Sequence, residues 1–188
     1  MKVINKLVAF ALVTTVLVAL SLPGEVHAQT QERPRPCTER PGFSQFDFWV
    51  GSWEVRTAKG ELAGTNRITK RADGCALLEE WTSVRGGSGI SVNYYDPAAG
   101  EWVQVWNGSG GTQITIRGGL DEDGAMALSG TLHYVGRGQT VAFRGLWTPL
   151  ADGRVRQYFE QSTDDGETWQ PWFEGFYSRI DEAEEGAE

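Results

Sequence analysis

Turn-forming residues recur roughly every 8–14 residues from Phe46 onward, and this spacing constrains the fold more than any other feature. Segments such as Asp121-Glu122-Asp123-Gly124 and Gly136-Arg137-Gly138 supply a positive φ or a side-chain hydrogen bond, as tight β-turns require. Short runs of apolar or alternating residues lie between them. No stretch after Phe48 keeps a helical period over three turns, so we expect no long helix.

We predict ten strands, joined as consecutive antiparallel hairpins. A meander of this kind favours an up-and-down β-barrel of eight to ten strands, because closing the sheet removes its edges. A two-sheet sandwich is the alternative that the pattern leaves open. The fold class is therefore all-β and antiparallel, with predicted strands at 48–58, 62–72, 75–85, 89–96, 101–107, 112–118, 125–135, 139–148, 154–162 and 168–180.

The first 28 residues have the composition of a secretory signal peptide. Lys2 and Lys6 give a basic start, residues 7–20 form an apolar run, and Val26-His27-Ala28 offers small residues at a cleavage site. The alternative is an uncleaved anchor, but the apolar run is shorter than the roughly 20 residues of a membrane span. We expect cleavage after Ala28 and a periplasmic or secreted product.

The expected mature chain divides into three parts. Residues 29–45 are rich in Pro, Arg and Gln and predict an extended leader, residues 46–180 form the barrel, and residues 181–188 form an acidic disordered tail.

Cleavage lowers the basic count from 17 to 15 and the acidic count from 25 to 24, which gives a net charge of −9. That charge argues against nucleic acid and anionic membranes as partners. The sequence leaves the oligomeric state open.

Cys37 and Cys75 are the only cysteines, and we predict a disulfide between them. An even pair in an exported chain usually oxidises. The alternative is a metal site. However, His133 is the one histidine of the mature chain, and these three residues cannot fill a tetrahedral zinc shell without carboxylates. We therefore expect no metal site.

Several predicted strands mix aromatic and polar side chains on one face, as Trp102, Gln104 and Trp106 do. Such faces suit a cavity that holds a small apolar or aromatic molecule through a few polar contacts. The alternative for any one strand is that its polar face lies in solvent. The candidate ligand-binding residues are Glu80, Gln104, Trp106, Arg156 and Glu160.

Glu79 and Glu80 are adjacent, so they point to opposite faces of a strand and cannot form a carboxylate dyad. One of them faces the interior if the strand is regular. Beside Arg144 or Arg156, a buried glutamate would contact a ligand or form an inert ion pair, and the inert pair is the default expectation.

The segment Phe46-Asp47-Phe48-Trp49-Val50-Gly51-Ser52-Trp53 is the most specific motif in the chain. Its Gly51-x-Trp53 resembles the G-x-W signature of the lipocalin, or calycin, superfamily, and Arg179 stands where lipocalins carry an arginine over that tryptophan. The full motif looks like that of an uncharacterised family of exported bacterial lipocalin-like domains, and the resemblance covers about Phe46 to Ile180. It implies a barrel in which Gly51, Trp53 and Arg179 are structural, and it transfers no activity.

The segment Ser162-x-Asp164-x-Gly166-x-Thr168-Trp169 resembles the Asp box of sialidase propellers, which is a structural hairpin. A propeller needs about four or more blades, and one copy in a chain of this length cannot build one. We assign Asp164, Gly166 and Trp169 a structural role in a turn, not a role in glycoside hydrolysis.

No cofactor is expected. Nitrobindin-type barrels resemble this class and bind haem through a histidine near the C-terminal end of the barrel. The late strands here contain no histidine, and we interpret His133 as a half-exposed strand residue. The chain also lacks a nucleophile elbow, a P-loop, a zincin motif and a calcium loop.

Three functions remain open from the sequence. The first is an exported binding protein for a small apolar or aromatic ligand. The second is an enzyme of the isomerase, cyclase or hydratase type that uses the same cavity. The third is a structural or interaction domain with a filled barrel.

Overall fold

In the computed structural model, which describes residues 34–180, the chain forms a closed barrel of ten antiparallel strands. Each strand pairs with its neighbours in sequence, and the first strand pairs with the last. The predicted all-β, antiparallel barrel is confirmed. The predicted signal peptide, the start of the leader and the acidic tail lie outside the described residues.

Within residues 34–180, no helix is long and apolar enough to cross a membrane.

The strands follow the predicted turn pattern closely. The strands are β1 Gly51–Arg56, β2 Leu62–Arg71, β3 Ala76–Ser83, β4 Ser88–Asp96, β5 Glu101–Gly108, β6 Thr112–Leu120, β7 Met126–Tyr134, β8 Gln139–Pro149, β9 Val155–Ser162 and β10 Gln170–Arg179.

Helical turns precede the first strand, whereas the sequence predicted an extended leader and a strand from residue 48. A short helix, α1, covers Pro36–Glu39, and 3₁₀ turns follow at Pro41–Ser44 and Asp47–Trp49. A proline opens each of the first two turns, a position where its missing N–H is not needed. This geometry turns the aromatic side chains of the segment into one end of the barrel.

Aromatic rings close that end of the barrel. Phe46 stacks on Trp49 with ring centroids 4.9 Å apart, and it meets Trp147 edge to face at 5.3 Å. Both Phe46 and Trp49 are fully buried. The indole N–H of Trp102 donates to the carbonyl of Gly42 at 3.1 Å, which holds the plugging segment in place.

The predicted disulfide between Cys37 and Cys75 is confirmed, with Cα atoms 4.9 Å apart. It links α1 to the turn between β2 and β3. In the chain-entropy description, a closed loop of this length stabilises the fold by roughly 3–4 kcal/mol. The disulfide therefore fastens the plug to the barrel wall.

The contact predicted between Trp53 and Arg179 is also present. The two residues are directly paired between β1 and β10, and the guanidinium carbon of Arg179 lies 4.3 Å from the centre of the Trp53 ring. Arg179 Nη1 also donates to the carbonyl of Val50 at 3.0 Å. Gly51 has a φ of 146°, and a Cβ there would overlap Arg179 Nη1, so this position needs glycine.

Candidate functional site

A cavity of about 330 Å³ opens at the barrel end opposite the aromatic plug. Its rim is formed by residues of the β1–β2 and β3–β4 turns, including Glu61 and Arg85. Its walls are mainly apolar and carry the side chains of Trp81, Trp106, Ile114, Phe159, Trp172 and Phe173. The barrel is therefore filled at one end and hollow at the other.

The period-two alternation of the strands places these side chains inside. On β5, Trp102, Gln104 and Trp106 share the interior face, with Trp102 at the plug and the other two lining the cavity. Buried glycines in the strands make room for the large aromatic rings beside them. A Cβ would overlap an aromatic side chain of the cavity at Gly64, Gly89, Gly145 and Gly175.

Seven buried polar side chains form a hydrogen-bonded row across the interior, which we call the polar belt. They come from six strands, and four of them line the cavity. The belt consists of Asn66, Glu79, Ser91, Asn93, Gln104, Gln157 and Tyr177.

One arm of the belt runs from β5 to β3. The amide of Gln104 donates to Asn93 Oδ1 at 2.9 Å, the amide of Asn93 donates to Ser91 Oγ at 2.8 Å, and Ser91 Oγ donates to Glu79 Oε2 at 2.5 Å. Every donor in this arm points towards the carboxyl group of Glu79.

The other arm runs through Asn66. Its Nδ2 donates to Glu79 Oε1 at 2.7 Å and lies 3.3 Å from the hydroxyl of Tyr177. That hydroxyl donates to Gln157 Oε1. The Tyr177 side chain reaches Asn66 across the intervening strand β1, since β10 and β2 are both neighbours of β1. Both oxygens of Glu79 thus accept a hydrogen bond.

Glu79 is the ionisable group at the centre of the belt. Only 3% of it is exposed, and burial raises its pKa to about 7, against the opposing hydrogen bonds from Ser91 and Asn66. Burial, together with the nearby charge of Glu79, also raises the pKa of Tyr177 well above its usual value. Near neutral pH, Glu79 can therefore accept or release a proton while Tyr177 stays neutral.

Two of the five predicted ligand-binding residues, Gln104 and Trp106, lie in the cavity. The prediction for the other three requires correction because their strand faces point outward. Glu80 is exposed, and its neighbour Glu79 takes the interior position. Arg156 pairs with Glu174 at 2.7 Å on the outside.

Glu160 likewise pairs with Arg144 at 2.7 Å on the outer face. Alternation along a strand separates two faces but does not say which is inside. Asn66, Ser91 and Asn93 were not predicted from the sequence to lie in the interior, because polar residues at alternate positions normally indicate a solvent face.

The Asp-box segment forms the turn between β9 and β10, as predicted. Asp164 accepts hydrogen bonds from Ser162 Oγ at 2.6 Å and from the backbone and hydroxyl of Thr168 at 2.8 and 2.5 Å. These bonds, that of Ser162 foremost, lower the pKa of Asp164 to about 2. Gly166 has a φ of 93°. Trp169 lies on the outside beneath Arg144, whose guanidinium carbon is 4.2 Å from the ring centre.

His133 lies away from the cavity. Its Nδ1 is 2.9 Å from Thr140 Oγ1 on the neighbouring strand, and the pair sits at the outer surface. Within the described part of the chain, no three His, Cys, Asp or Glu side chains are grouped closely enough to hold a metal ion.

No protein-family model matches this chain, and no curated protein is detectably similar to it in sequence. Its function is therefore argued from the cavity and the polar belt.

Proposed function

We propose that this chain is an exported binding protein for a small apolar or aromatic molecule, which it holds in the barrel cavity. The observation that carries the proposal is an aromatic cavity, open at one end, that ends on a hydrogen-bonded polar belt. Ligand sites in proteins are commonly apolar hollows of about 300–1,000 Å³ with a few fixed polar groups. The cavity of about 330 Å³ is at the small end of that range.

The distribution of aromatic residues supports binding rather than a filled barrel. The plug end is packed with Phe46, Trp49, Trp102 and Trp147. At the other end, Trp81, Trp106 and Trp172 are only partly buried and face the hollow. Partly buried indoles around an open space offer contact area to a ligand at a low cost in conformational entropy.

An enzyme of the isomerase, cyclase or hydratase type is the second candidate, and Glu79 is the observation that favours it. A carboxyl group with a pKa of about 7 suits general acid–base work at neutral pH. Glu79 lines the cavity, so a bound molecule can reach it. Conversion of a bound ligand, lost in Glu79→Gln while binding is kept, distinguishes the enzyme from the carrier.

Export and family membership belong to the same proposal. The basic and apolar start of the chain and the disulfide between Cys37 and Cys75 support an oxidising compartment outside the cytoplasm. The arginine of the last strand over the tryptophan of the first supports kinship with lipocalin-like domains.

Native mass spectrometry of the protein purified from its own host tests the proposal, since a co-purified molecule adds a fixed mass. The Ser83→Trp variant serves as the comparison, because Ser83 lines the cavity near its rim and an indole there occupies the opening. Thr82→Trp is the matched control on the outer face of the same strand. We expect the added mass in the wild type and in Thr82→Trp, and its reduction in Ser83→Trp. If both variants carried the co-purified molecule equally, the cavity would not be its binding site.

A further inference from the structure

The carboxyl group of Glu79 has no basic partner in the part of the chain that the structure describes. All six ion pairs within residues 34–180 lie on the outer surface or in turns, and none includes Glu79. Among the described residues, the one basic side chain that lines the cavity is Arg85. It lies in the exposed turn between β3 and β4 and forms no ion pair with Glu79.

The hydrogen bonds of the belt suit a charged Glu79. Ser91 Oγ and Asn66 Nδ2 each donate to one carboxylate oxygen, at 2.5 and 2.7 Å. A carboxylate has about four acceptor sites, so two remain after these bonds. Donors converge on this group from both arms of the belt, yet no cation of the described chain reaches it.

The walls above Glu79 are suited to a cation as well. The rings of Trp81 and Phe173 meet edge to face, with centroids 6.2 Å apart, and Phe159 and Trp172 are tilted at 6.0 Å. Aromatic faces attract ammonium groups through the ring quadrupole, more strongly where water is excluded. The cavity therefore combines a buried acceptor with a neutral aromatic wall.

From this arrangement we infer that the ligand is an organic cation, a protonated amine on an apolar or aromatic body, whose ammonium group binds the Glu79 carboxylate. The inference rests on the proposed function and names the ligand class for the same cavity. The negative net charge of the chain, −8 over its full length, also favours the approach of a cation.

Binding then couples to a proton. Besides Glu79, the titratable groups that line the cavity are Tyr177, which stays neutral, and Glu61 and Arg85 at the rim. In the empty cavity, Glu79 releases its proton near pH 7, because its pKa is about 7. A bound ammonium stabilises the carboxylate, so uptake of the amine at pH 6 displaces close to one proton.

Three probes of similar shape test the charge requirement in the intact protein: phenylbutylamine, phenylbutanol and phenylpentanoate. We expect calorimetry at pH 8 to show that the amine binds at least about tenfold more tightly than the alcohol. We expect the carboxylate to bind most weakly, since two like charges would meet at Glu79. Affinity for the amine should fall about thirtyfold from pH 8.5 to pH 5.5, while that for the alcohol stays nearly constant.

The Glu79→Gln variant removes the charge and keeps the side-chain volume. Asn66 Oδ1 has no hydrogen-bond partner among residues 34–180, so rotating the Asn66 amide costs it no bond there and lets its oxygen accept from the amide group of the introduced glutamine. We expect this variant to lose the preference for the amine and to keep binding the alcohol. Glu80→Gln is the matched control, with the same change of charge on the outer face of the same strand, and it should keep the preference.

Calorimetry of the wild type at pH 6, in buffers of different ionisation enthalpy, measures the displaced proton without any variant. If the alcohol binds as tightly as the amine, or if the amine preference survives in Glu79→Gln, the cation inference is overturned and the binding function stands. If none of the three probes binds, the proposed binding function fails together with it.

Discussion

Asn66 Nδ2 donates to Glu79 Oε1 at 2.7 Å, and this bond joins the two arms of the polar belt. Both residues are buried, with 2% and 3% of their surface exposed. Since the same amide group lies 3.3 Å from the Tyr177 hydroxyl, Asn66 connects the carboxyl group on β3 to Tyr177 on β10, three strands away around the barrel. The pKa of Glu79 therefore depends on the Asn66 amide, which the pairing of β2 with β3 brings beside it, as well as on Ser91.

Replacing Asn66 by Ala should raise the pKa of Glu79 above its present value of about 7, because one hydrogen bond to the carboxylate is lost while the burial remains. It should also cost about 1–3 kcal/mol of stability, since buried polar groups lose a partner. The pKa is measured by NMR titration of the glutamate carboxyl carbon. Thr65→Ala, on the outer face of the same strand, should leave that pKa unchanged; an equal shift there would contradict a direct effect.

Glu79 should make the protein less stable as pH rises from about 4.5 to 7, because its pKa is higher in the folded state than in the unfolded chain. Over this range the unfolded state releases the proton first, so deprotonation favours unfolding. Relative to Glu79→Gln, the wild type should lose about 2 kcal/mol of unfolding free energy between pH 5 and pH 8. Urea denaturation of both proteins at the two pH values measures it. A constant difference would show that Glu79 is not the buried group that titrates.

Arg179→Ala should destabilise the barrel by about 1–2 kcal/mol, through loss of the contact with Trp53 and of packing by the arginine stem. Arg179→Lys should recover only part of this, because an ammonium lacks the planar fork that stacks on the ring and bonds the Val50 carbonyl. Thermal and chemical denaturation measure the differences. Arg67→Ala, an exposed change on β2, should stay within about 0.5 kcal/mol. If Arg67→Ala lost as much stability as Arg179→Ala, the effect would come from removing a surface charge and not from the contact with Trp53.

Removing the disulfide by Cys37→Ala with Cys75→Ala should lower stability by roughly 3–4 kcal/mol and leave the barrel folded. The reason is that β1 to β10 close without it, while the turns at Pro36–Glu39 and Pro41–Ser44 lose their covalent link to the wall. Limited proteolysis should then cut first before Phe46. Cleavage that begins instead within the strands would mean that the disulfide holds the whole barrel together.

Titration with hemin should produce no tight complex and no Soret band typical of axial ligation. His133 lies on the outer face beside Thr140, so its ring cannot reach a group bound in the cavity. Absorption spectroscopy measures this, with His133→Ala as the comparison. A stoichiometric complex that the variant abolishes would show that His133 has access to the cavity after all.

The number of strands, the positions of the turns and the disulfide could be predicted from the sequence because they depend on local or covalent properties. Glycine and aspartate mark the turns, and apolar and polar residues alternate in the segments between the turns. These two signals are enough to place the ends of β2 to β10 within about two residues. The lipocalin resemblance implied the contact between Trp53 and Arg179, and barrel closure, which makes the first and last strands neighbours, is its physical reason. The start of β1 was misplaced because aromatic packing at the plug holds Asp47–Trp49 in a 3₁₀ turn.

Only the tertiary structure decided which face of each strand is inside. On β4, Ile90 and Val92 are 53% and 46% exposed, whereas Ser91 and Asn93 are buried, the reverse of the usual pattern. The inward residues are tolerated because their hydrogen-bond partners lie on neighbouring strands, as Gln104 does for Asn93. The same condition selects Glu79 over Glu80 for the cavity. Such partners meet only when neighbouring strands pair in register, since no single strand encodes what lies opposite it.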